Sequence, residues 1–171
     1  VKDATIDTMH WGACGATRYL FSWLTDILIP SEFTWEALNA EKNRHSFKAG
    51  SRVPNIERSK GDNRGSLSTH LSSGEMVTFA LASPQIMEPL VSRVKDQPPW
   101  LCWLAHISHL RFSNRHVYDL ARDVPECDRL QAEFLVAFGE VEQWTTYGKP
   151  KFHLGEHFGE VRDSLPSPRL A

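Results

Sequence analysis

Between Ala13 and Ile29 the apolar side chains recur at steps of three and four: Ala16, Tyr19, Leu20, Trp23, Leu24, Ile27 and Leu28. A strand would scatter them over both of its faces, whereas a helix gathers them on one broad stripe. A stripe of that width must be covered by other apolar surface, so the segment calls for partner helices or a sheet. Pro30 ends it, because a proline ring clashes with the preceding turn and lacks the N–H a helix needs. Other segments repeat the pattern. Trp100, Leu101, Trp103, Leu104, Ile107 and Leu110 form a second stripe, predicted to continue or restart through Val117 and Leu120. Leu130, Phe134, Phe138, Val141 and Thr145 form a third, within a long segment that Pro125 opens and Gly148 closes.

Helix starts are also legible. Thr34 is a suitable N-cap for a helix through about Phe47 that turns Trp35 and Leu38 inward. Ser72-Ser73-Gly74-Glu75 has the spacing of a capping box, in which Ser72 and Glu75 satisfy each other's backbone N–H groups. That helix is predicted to run to about Ala82, to be interrupted at Pro84 and to resume to about Lys95. A last helix is expected through His153, His157 and Val161, with a tail over about 164–171. The chain therefore reads as one mainly α domain over 1–171, with a basic loop at about 48–71. Residues 4–9 are the single candidate strand, readable as a remnant of a larger sheet.

Composition narrows the functional classes. The apolar fraction of 41% in 171 residues is enough for a real core. Six Trp and nine Phe either fill that core or mark a surface that meets a partner. Trp11, Trp35 and Trp144 are the candidates for the second role. Three cysteines without close spacing suit free thiols in a reducing, intracellular setting, with nucleus and organelle left open. No run of apolar residues is long enough to span a membrane. The chain does not begin with Met, so its first residues say nothing about targeting.

The formal charge of -2 does not favour a general nucleic-acid coat, but its distribution is uneven. Lys42, Arg44, Lys48, Arg52, Arg58, Lys60 and Arg64 stand against only Glu41, Glu57 and Asp62. These seven cations are candidate phosphate contacts. At the N-terminal end, Asp7 could bind a hard cation such as Mg²⁺, while His10 could orient Asp7, bind phosphate or ligate a softer metal. At the other end, His153 and His157 are four apart and would share a helix face, which can aim two nitrogens at one Zn²⁺, although a structural zinc wants four ligands. The plainer reading makes these groups caps and packed side chains, with no cofactor.

Asp7-Thr8-Met9-His10 followed by Gly15 resembles the D-x-M-H-x-x-x-x-G element of transposase-like proteins from eukaryotic mobile elements. Phe33–Asn39, Val53-Pro54-Asn55-Ile56, Leu71–Met76 and the Trp100–Leu110 segment resemble later elements of that group, in the same order. Lys149-Pro150-Lys151-Phe152-His153 with His157 resembles its K-P-K-x-H-x-x-x-H element. The resemblance implies a ribonuclease-H-like core with a helical insertion and makes Asp7 one metal-binding acid, the second of its set. The other acids would lie outside this chain, and Trp11 stands where the group usually carries an acid. One carboxylate cannot clamp two divalent ions. The expectation is a noncatalytic, transposase-derived structural or interaction subunit of a larger protein assembly. The alternatives are part of a metal-dependent DNA-processing domain and a zinc-stabilised nucleic-acid-binding module.

Overall fold

The computed structural model describes residues 15–29, 31–48, 51–57, 71–114 and 119–141. These form five α-helices: α1 (Thr17–Leu28), α2 (Trp35–Arg44), α3 (Ser73–Met87), α4 (Pro98–Ser113) and α5 (Leu120–Gly139). A single 3₁₀ turn, Glu88–Leu90, follows α3. The expectation of an α/β ribonuclease-H-like remnant is overturned, because the described residues contain no β-strand. Such a core needs a central sheet to cover its helices; here the apolar stripes cover one another. The strand expected at 4–9, the helix expected through His153 and His157, and the tail lie outside the described residues.

The caps are those the sequence announces. Thr34 Oγ1 accepts from Ala37 N–H at 3.2 Å. At α3, Ser72 Oγ accepts from Glu75 N–H while the Glu75 carboxylate accepts from Ser72 N–H at 2.7 Å. The Ser72 hydroxyl, which also donates to the Glu75 carboxylate at 2.7 Å, and then the Ser72 N–H hold that carboxyl below its usual pKa. Ser72→Ala should cost about 1 kcal/mol, the usual worth of an N-cap hydroxyl, checked as a shift in the urea midpoint at constant slope.

Both internal prolines behave differently from expectation. Helix α3 runs without a break through Pro84. Pro84 has no N–H for the Ala80 carbonyl, and Ser83 Oγ donates to that carbonyl instead at 2.7 Å. The second piece expected to about Lys95 is replaced by the 3₁₀ turn and a run of turns. Helix α5 begins five residues before Pro125 rather than after it. The carbonyl Pro125 leaves vacant belongs to Ala121, on the exposed side, where water can serve it. The helix ends at Gly139, earlier than expected.

Helix α4 is central. It packs along α5 and also meets α1 and α3. Its buried residues therefore surround the axis: Trp100, Cys102, Trp103, His106, Ile107, His109, Leu110 and Phe112. The expected single stripe is accordingly wrong at Leu101, which is 42% exposed. Phe21, Phe79, Trp103 and Phe134 fill the middle, each fully buried. The aromatic surface expected to meet a partner is absent among the described residues: Leu101 and Val136 are their only exposed large apolar side chains. Trp35 is half-buried against the core, and Trp11 and Trp144 lie outside the described residues.

Candidate functional site

Three places in the described residues gather chemistry-bearing side chains. The first is a polar seam inside the bundle. His106 and His109 lie one turn apart on α4, both fully buried. His106 Nε2 and Thr17 Oγ1 share a hydrogen bond of 2.8 Å, tying α4 to the start of α1. The His106 ring also lies 5.9 Å from that of Trp103 and 5.3 Å from that of Phe134. His109 Nε2 stands 3.6 Å from Cys127 Sγ, tying α4 to α5. Burial, with a smaller contribution from His109, lowers the His106 pKa to about 3; burial alone lowers that of His109 to about 4. Both imidazoles are neutral at pH 7. Burial likewise pushes the Cys102 thiol far above its usual range, which makes it a core group rather than a nucleophile.

The second place is an open cleft of about 450 Å³ lined by Phe112, Arg122, Asp123, Pro125, Glu126 and Arg129. Its cations are occupied. Arg122 Nε donates to Asp123 Oδ1 at 3.0 Å; Arg129 pairs with Glu126 at 2.7 Å and also with Glu133. These carboxylates raise both guanidinium pKa values. Asp123 is itself buried and accepts from Asp119 N–H at 2.8 Å, so it serves the start of α5.

The third is the beginning of the basic loop. Here Lys42, expected to touch phosphate, is turned inward and 2% exposed. Its position on α2 faces the extended segment 51–57. Its ammonium donates to Val53 O at 2.8 Å and Pro54 O at 3.0 Å, with Asn55 Oδ1 farther away at 3.5 Å. One turn earlier, Asn39 grips Ile56 at both main-chain groups: Asn39 Nδ2 donates to Ile56 O and Ile56 N–H donates to Asn39 Oδ1, each at 2.8 Å. Val53 and Ile56 are buried as apolar anchors. Helix α2 thus holds segment 51–57 as a strap. Burial, then the nearby charge of Arg52, lowers the Lys42 pKa. Lys42→Met should cost about 2 kcal/mol, because it removes charge-assisted bonds to two carbonyls; a urea titration measures it.

The other expected phosphate contacts divide. Arg44 is 74% exposed and paired with Glu41. Lys48 and Arg52 are exposed and paired with no carboxylate among the described residues. Arg58, Lys60 and Arg64 lie outside the described residues, as do Asp7, His10, His153 and His157. The structure therefore tests neither the proposed acid nor the proposed zinc pair. Among the described residues, no three His, Cys, Asp or Glu side chains stand close enough to share a metal ion. No helix among them is long and apolar enough to cross a membrane. The sequence spacing of His106 and His109 beside Trp103 admits either a metal pair or one flank of a buried helix; the second is what forms, while the contacts to Thr17 and Cys127 had no sequence signal. Sequence reading missed the strap, for which only the facing positions of Asn39 and Lys42 on α2 gave any sign.

No protein family, curated protein or solved structure matches this chain. Together with a helical packing that contains no strand among the described residues, this overturns the transposase-like reading and the idea of a domesticated transposase. Two of the short elements that suggested it are helix starts, while those at Asp7–His10 and Lys149–His157 lie outside the described residues. Ser72–Glu75 is a capping box, and Phe33–Asn39 is a capped helix start, features that any helical protein can carry in this order.

Proposed function

We propose that this chain is a noncatalytic structural or interaction subunit of a larger intracellular protein assembly. One observation carries the reading: among the described residues, the neighbouring histidines His106 and His109 and the thiols of Cys102 and Cys127 are shut inside the fold. His106, His109 and Cys102 have no solvent exposure, and Cys127 is 2% exposed. Their contacts join α1, α4 and α5, so their chemistry is spent on holding helices together. What faces outward includes the charges of Lys48 and Arg52, which meet no carboxylate among the described residues, and the exposed apolar side chains of Leu101 and Val136. Charge and scattered apolar side chains on a rigid helical frame suit partner recognition. Free thiols at Cys102 and Cys127 are in keeping with a reducing compartment.

The test is native mass spectrometry of the full chain purified from its own cells at natural abundance. A stable complex of fixed stoichiometry is expected. A lone monomer that turns over a substrate would overturn the reading.

A further inference from the structure

We draw no further inference here: the strongest candidate, the side-chain amide of Gln131 on α5, which is buried and meets no hydrogen-bond partner among the described residues, carries nothing because nothing in the structure shows what group or ligand it would face.

Discussion

Taking the protein from pH 7 to pH 5 should remove about 4 kcal/mol of folding stability through His106 and His109 alone. The sign follows from their environment. In the unfolded chain each imidazole titrates near its ordinary value, about 6.5. In the fold, burial lowers the two pKa values to about 3 and about 4. Between those limits the unfolded state binds more protons, so stability is complete well above pH 6.5 and falls as the pH drops. Each histidine loses about 2 kcal/mol by pH 5, and typical domains have only about 5–15 kcal/mol in hand. Urea unfolding at half-unit pH steps measures the slope. A His106→Gln, His109→Gln double variant should be less stable at pH 7 but much flatter between pH 4.5 and 6.5. An unchanged slope in that variant would show that other groups govern acid lability.

Trp103→Ala is expected to cost about 4 kcal/mol, in the upper range for core truncations. Trp103 is fully buried on the central helix. Its ring lies 5.7 Å from Phe21 and 5.9 Å from His106, so it touches α1 and supports the histidine seam. Its indole N–H donates to Ser83 Oγ at 2.9 Å, and Ser83 in turn donates to the carbonyl that Pro84 leaves vacant. The residue therefore fills volume and helps α3 tolerate its proline. Trp103→Phe keeps most of the volume and loses the hydrogen bond, so it should cost about 1–2 kcal/mol. Comparing the two by chemical denaturation separates the packing contribution from the polar one. A Trp103→Ala cost below about 1 kcal/mol would show that the core closes over the gap.

The sequence carried the helices well where local chemistry decides them. The Thr34 cap and the Ser72–Glu75 box depend on residues within one turn, and both form as spaced. It misled wherever a distant partner decides. Pro84 reads as a break, yet Ser83 answers the missing bond and Trp103, twenty residues on, steadies Ser83. Pro125 reads as a helix start, yet its vacant carbonyl lies on the exposed side of an already formed helix. Lys42 reads as a surface cation by its charge, while its place on α2 turns it to the strap. The buried histidines show the same limit: their spacing was visible, but that Thr17 and Cys127 would meet them depends on how three helices pack. Order of short elements proved a poor guide to ancestry, because capping and apolar spacing recur for physical reasons in unrelated helical proteins.

The grip of Asn39 on Ile56 engages only peptide groups, which every residue except proline possesses in full. The outward-facing letters at positions 51, 52 and 57 can therefore drift without loosening the frame that displays them. A lineage could reset the charge this segment shows to solvent by altering those letters alone, leaving the grip of α2 untouched.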